Sequence, residues 1–294
     1  MTDEWKVVIS RLIHLIDKAE KFFLQNDATD VEEETNSLLD QYSAFRWQVR
    51  FGMPKLVPVR HPDLTNISDL IGINQEINTL DRNTRQFLCG LPANHVLLWG
   101  DRGTGKSSLV KAIFNRYEGQ GLRLIEVNKD GLIYLQELTE LIWNRQESYV
   151  LFCDDLSFDD QEAEYRELKA MLEGSISAKP DNVLIYATSN RRHLMPRQIV
   201  ENKFPATDQD ELYPRETTEE KVSLSDRFGL RIAFQHISKK TYLDIVSHYA
   251  QQRVLPISDD ELEQEAIEWE ASSSGRSGRV ARQLIDDLEG RLKL

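Results

Sequence analysis

The sequence predicts an α/β fold, a mainly parallel sheet covered by helices on both faces, and three observations carry that expectation. The apolar run Val96 to Trp99 stops at Gly100, and Gly105-Lys106-Ser107 completes the spacing of a Walker A phosphate loop between a strand and a helix. Downstream, short apolar runs alternate with segments of helical periodicity, the pattern of parallel strands joined by covering helices. Beyond Ile237 only helical spacing remains, which predicts a smaller terminal helical unit.

The elements follow in order. Trp5, Val8, Leu12, Leu15, Ile16, Ala19 and Phe23 recur at helical spacing, and Leu38, Leu39, Tyr42 and Phe45 suggest a second helix, so the two are expected to form a hairpin. Pro54, Pro58 and Pro62 break any helix and predict a linker. Residues 1–60 are therefore expected to be an N-terminal helical module and linker, a candidate site for a protein partner. A core over 61–236 and a helical lid over 237–294 follow. Within the core a helix is expected from about Gln75 to Leu88. Strands are expected over Val96 to Trp99, Leu122 to Val127, Tyr149 to Cys153, Val183 to Thr188 and Gly229 to Phe234, with helices over Leu132 to Trp143 and Glu162 to Leu172. The lid is expected to hold helices over Tyr242 to Tyr249, Asp259 to Trp269 and Arg279 to Leu292.

At 294 residues the chain is long enough for more than one domain. Its formal net charge of −13 argues against a surface that coats nucleic acid as a whole. Arg191, Arg192, His193 and Arg197 form the densest basic cluster, which leaves a local nucleic-acid contact open. Cys89 and Cys153 lack metal-ligand neighbours and read as small apolar residues of a reducing compartment. With no membrane-length apolar run and no secretion-like start at Met1 to Arg11, the expectation is a cytoplasmic protein with no membrane partner.

The loop has a clear chemical logic. Gly100, Gly103 and Gly105 can take backbone angles that turn N–H groups towards an anion, and the following helix adds its N-terminal amides. Gly100, Asp101, Arg102, Gly103, Thr104, Gly105, Lys106, Ser107 and Ser108 are thus the candidate nucleotide cradle. Lys106 is placed for the β and γ phosphates and Ser107 for Mg²⁺. Val150-Leu151-Phe152-Cys153-Asp154-Asp155 has the Walker B form: Asp154 is the candidate Mg²⁺ carboxylate and Asp155 the candidate for orienting the attacking water. Asn190, after Ala187-Thr188-Ser189, offers a neutral amide to a γ-phosphate oxygen and to water.

In this order, G-D-R-G-T-G-K-S, L-F-C-D-D, A-T-S-N, S-L-S-D-R-F-G and G-R-S-G-R-V-A-R-Q resemble the AAA+ ATPases from about Asp69 to Leu294. The chain looks most like a group of bacterial single-module AAA+ ATP-binding proteins whose domain has no assigned function. The resemblance implies a P-loop NTPase sheet of strand order 5-1-4-3-2 with a helical lid. It implies Mg²⁺ and ATP as ligands, hydrolysis at subunit interfaces of a homo-oligomer, and remodelling or loading of a macromolecular partner. By motif, Asn190 matches sensor 1 and Arg227 the arginine finger acting in trans. Arg282 matches sensor 2, with Arg279 the second choice, and Ile71 and Gly72 fall where the adenine pocket is lined. Asp155 stands where Glu is more usual, which puts efficient turnover in question. Asn128-Lys129-Asp130-Gly131 lacks the aromatic-plus-glycine pore loop of threading unfoldases. Two other readings are a nucleotide-gated interaction module with little turnover and a P-loop small-molecule kinase.

Overall fold

The computed structural model describes residues 11, 28–63, 65–158, 163–173, 180–190, 194, 224–273 and 275–294. The chain divides into two units, Met1–Ser43 and Ala44–Leu294. In the first, helix α1 spans Ala28–Gln41, and the Tyr42 N–H donates to the Leu38 carbonyl at 3.1 Å. The helix expected over Trp5 to Phe23 lies outside the described residues.

The second unit is built on a seven-stranded sheet. Its strands are β1 (Ala44–Arg50), β2 (Met53–Pro58), β3 (Val96–Gly100), β4 (Leu122–Val127), β5 (Ser148–Cys153), β6 (Val183–Ser189) and β7 (Leu230–Phe234), in the order β2-β1-β4-β5-β6-β3-β7. The five expected strands stand in the expected 5-1-4-3-2 order as β7-β3-β6-β5-β4, every neighbouring pair parallel.

The hairpin β1–β2 corrects the reading of residues 44–58. These residues are neither the end of a helix nor a linker, because β1 pairs in parallel with β4 and antiparallel with β2. The physical reason is a period of two in Ala44-Phe45-Arg46-Trp47: Phe45 and Trp47 are buried while Arg46 between them is exposed. Arg50 pairs with Met53 across Phe51-Gly52, both at positive φ (53° and 77°), the backbone of a tight two-residue turn. Pro54 and Pro58 fit β2 because it is the sheet edge, where a missing N–H breaks no inner ladder. The Trp47 indole then donates to the Gly131 carbonyl at 3.1 Å, fixing the turn after β4.

Helices α2 (Asn74–Leu88) and α3 (Lys106–Tyr117) cover one face, packing Leu80, Phe87, Leu109 and Ile113 with Val96, Leu98, Val150 and Phe152 of the strands. The alternate strand residues Leu97, Ile125, Leu151 and Ile185 point the other way and are equally buried, so the sheet is covered on both sides. Between β4 and β5 the expected single helix is a 3₁₀ segment, Lys129–Tyr134, followed by α4 (Leu135–Ile142); α5 spans Ala163–Glu173.

The lid comprises α6 (Lys239–Gln252), α7 (Asp259–Ser272) and α8 (Gly278–Lys293), close to the expected spans. Tyr242, Val246, Ala266, Ala281, Leu284 and Ile285 form its own core. Each helix begins on a serine cap: Ser238 accepts from Thr241, Ser258 forms a capping box with Glu261, and Ser277 accepts from Val280. Among the described residues no helix is long and apolar enough to cross a membrane.

Candidate functional site

At the carboxyl ends of β3, β5 and β6 lies a cleft of about 1100 Å³, walled by the loop before α3, the segment before α2, and the lid. The structure brings nearly every site residue expected from the sequence into it. Ile71, Gly72, Arg102, Gly103, Thr104, Gly105, Lys106, Ser107, Ser108, Asp154, Asp155, Asn190, Arg279 and Arg282 all line it. Gly100 and Asp101 form the start of the loop.

Two of the loop glycines, Gly100 and Gly103, are required by close approach. Gly100, at φ +140°, would place a Cβ 2.2 Å from the Phe234 carbonyl of β7. Gly103, at φ +75°, would place one 2.6 Å from the Ser277 Cβ of the lid. There the loop and α8 touch directly, since the Gly278 N–H donates to the Gly103 carbonyl at 2.9 Å. The loop is therefore joined to the start of α8.

Lys106 is buried at the mouth of α3. Its ammonium donates to the carbonyls of Gly100 (2.8 Å) and Asp101 (2.6 Å) and to Asn190 Oδ1 (3.3 Å). Burial pushes its pKa below the ordinary lysine value, and the carboxylates of Asp155, Asp101 and Asp154 pull the other way. Ser107 Oγ donates to Asp154 Oδ1 at 2.6 Å, so the two side chains expected to hold Mg²⁺ already meet. A hydroxyl and a carboxylate are hard oxygen donors that suit a cation keeping part of its water shell, and the residues present fit Mg²⁺. Asn190 lies between the charged groups: its Oδ1 faces Lys106 and its Nδ2 donates to Asp155 Oδ1 at 2.5 Å.

Arg227 is placed differently. It follows the helical residues 224–226, ahead of β7, and forms an ion pair with Glu173 of α5; it is not among the residues lining the cleft of its own chain. The basic cluster Arg191, Arg192, His193 and Arg197 lies outside the described residues.

Several lining residues escaped the sequence reading. Thr188 and the lid's Gly278 lie within the quoted stretches A-T-S-N and G-R-S-G-R-V-A-R-Q, but neither was singled out as a site residue. Tyr249, whose hydroxyl pKa is raised by burial, and Ile245 reach the cleft from α6 beside Ile71. Gly72, at φ +82°, would place a Cβ 2.4 Å from Thr241 Cγ2, so this glycine lets the segment before α2 press against the lid. His236 Nδ1 lies 3.2 Å from Asp101 Oδ2. For Ile245 and Tyr249 the hint was the helical periodicity of α6, which puts them on one side with Tyr242.

Residues 40–292 match the family described as "Protein of unknown function (DUF815)". The chain belongs to this family. A search of curated proteins gives no match. Among solved structures, the DUF815 chain is similar to a single-substitution variant of Thermotoga maritima RuvB, with a TM-score of 0.54 and 18% identity over 78% of this chain and 65% of that one. It is also similar to the FIGL-1 AAA domain in complex with ADP (TM-score 0.53, 17% identity, 89% and 80% covered). A third is Aeropyrum pernix ORC1 in complex with DNA (0.52, 15%, 76% and 61%). The chain thus spans less than two thirds of the RuvB and ORC1 chains. At these identities the likeness establishes the fold alone, that of the FIGL-1 AAA domain.

Proposed function

We propose that this protein binds Mg-ATP in the cleft and hydrolyses it at the interface between two copies, using the cycle to remodel or load a macromolecular partner. The observation that carries the reading is the convergence on one cleft of a buried ammonium, a hydroxyl–carboxylate pair, a second carboxylate bridged by a neutral amide, and two lid guanidiniums. They are Lys106, Ser107 with Asp154, Asp155 with Asn190, and Arg279 with Arg282.

In the reaction a water oxygen bonds to the γ-phosphorus while its bond to the bridging oxygen breaks, giving ADP and phosphate. Lys106 exchanges its carbonyl partners for phosphate oxygens, and the loop amides hold the rest of the triphosphate. Ser107 and Asp154 would hold Mg²⁺, which when bound would supply positive charge to the phosphates. Asp155 accepts a hydrogen bond from the water once Asn190 turns its amide from that carboxylate to the γ-phosphate. Arg279 and Arg282 carry lid position to the phosphates. Arg227, outside its own cleft, meets the γ-phosphate of a neighbouring copy, which makes hydrolysis depend on assembly.

The hydrogen bond from Asn190 to Asp155 favours a second reading, a nucleotide-gated interaction module in which the resting carboxylate is engaged by the amide and turnover is slow. A protein partner through residues 1–43 serves either reading, and nucleic acid is the competing partner class.

The test is ATP turnover per protomer against protein concentration, with and without single-stranded DNA, for the unaltered protein and Arg227→Ala. Turnover should rise steeply with concentration, and Arg227→Ala should bind ATP but lose about 10³-fold or more in rate. Undiminished hydrolysis by Arg227→Ala would overturn the shared site. Turnover that stays near zero in the assembled, ATP-saturated state would select the gated module.

A further inference from the structure

The last residues of β6 do more than present Asn190. Thr188 is 2% exposed, and its hydroxyl lies 2.5 Å from Asp154 Oδ1 and 2.8 Å from the Asp155 N–H. An ionised carboxylate only accepts and a backbone N–H only donates, so the direction of both bonds is determined: Thr188 gives its proton to Asp154 and accepts from Asp155. The strand holds the same turn at further points. The Leu156 N–H donates to the Thr188 carbonyl at 2.8 Å, and Ser189 Oγ donates to the Leu156 carbonyl at 2.8 Å. Between these anchors Asp155 sits at φ 52°, a left-handed backbone that is uncommon for a residue with a Cβ and that Asp tolerates better than most.

We propose that Thr188 is a positioning residue for both cleft carboxylates, a single buried hydroxyl that orients Asp154 towards the metal and holds Asp155 in its left-handed turn. This rests on the Mg-ATP reading above. Thr188 Oγ1 and Ser107 Oγ both donate to Asp154 Oδ1, so that oxygen is held from two sides, by β6 and by α3. Because β6 pairs with β3 as Leu98↔Thr188, the hydroxyl is fixed relative to the phosphate loop as well as to β5. Hydrogen bonds of this kind behind a metal-binding carboxylate set its orientation, and their loss characteristically lowers metal affinity or activity by about 10- to 100-fold.

The experiment compares Thr188→Val and Thr188→Ser in the full chain. ATP binding is titrated in EDTA and then against Mg²⁺, with turnover measured alongside. For Thr188→Val the Mg²⁺ concentration at half-effect should rise, and kcat should fall about 10- to 100-fold, while metal-free ATP affinity stays unchanged. Thr188→Ser should restore both. Should Thr188→Val not fold, Thr188→Ala and Thr188→Ser replace it: both lose the methyl group, so their difference isolates the hydroxyl. Unchanged Mg²⁺ dependence and kcat in the variant lacking the hydroxyl would overturn the proposal. So would a parallel loss of metal-free ATP binding, which marks general damage. If the unaltered protein binds no ATP at all, the Mg-ATP reading fails first, and this proposal with it.

Discussion

Gly103→Ala tests the contact that joins the phosphate loop to the lid, and it needs no assumption about chemistry. The added methyl would stand 2.6 Å from Ser277 Cβ and 2.9 Å from Ser277 Oγ, at a backbone φ of +75°. The left-handed backbone alone costs an alanine about 1–2 kcal/mol. Relief of the overlap costs a further ~1–3 kcal/mol, and moving α8 away weakens the Gly278 N–H to Gly103 carbonyl bond, about 0.5–1.5 kcal/mol. The single variant should lose roughly 2.5–6.5 kcal/mol, a fall in Tm of about 5–26 °C for a unit of this size. Both overlapping atoms belong to Ser277, so Ser277→Gly removes the obstacle and costs only about a few tenths of a kcal/mol as a cap. In that background Gly103→Ala should cost only the backbone term of about 1–2 kcal/mol. Thermal and urea unfolding of all four proteins without nucleotide measures the cycle. If the two substitutions add to within about 0.5 kcal/mol, the docking of α8 on the loop is refuted.

Lys106→Met should abolish the nucleotide-dependent rise in Tm. For the unaltered protein at 100 times the dissociation constant that rise corresponds to about 2.7 kcal/mol, and a retained shift in Lys106→Met would contradict the role of the ammonium. The same residue makes ATP binding pH-dependent: ATP favours the charged form, so affinity is full below the lowered Lys106 pKa and falls as pH rises through it, starting below 10.5. Stability of the unliganded protein carries the opposite sign, rising between that lowered value and 10.5, because the fold holds this proton less tightly than the unfolded chain; calorimetry across that range reads both. Trp47→Ala should destabilise the Ala44–Leu294 unit by about 3–5 kcal/mol, since the ring is 2% exposed and its N–H serves Gly131. Unchanged unfolding would restore the linker reading of residues 44–58.

Much of the fold and site was legible because the signals are local. Val96 to Ser107 encode an apolar strand, three glycines and a lysine at one spacing, and the chain can meet that pattern only as strand, loop and helix. The periodicities of α2, α3 and the lid helices survived for the same reason, since each buries a single stripe. Residues 44–58 were misread because Leu38, Leu39, Tyr42 and Phe45 also satisfy helical spacing. What decides between periods of two and 3.6 is the free edge of β4, some 75 residues later in the chain.

The order of residues along the chain was sufficient to specify a glycine-rich loop between strand and helix, a carboxylate pair and a strand-end amide. Tertiary packing decided how they act on one another: that Asn190 spans Lys106 and Asp155, that a buried threonine governs both aspartates, and that α8 rests on Gly103. It also separated Arg227 from the cleft that the other residues share. The reason is that a hydrogen bond depends on distances of about 3 Å between groups whose sequence separations are arbitrary, and only the closed sheet and its docked lid set those distances.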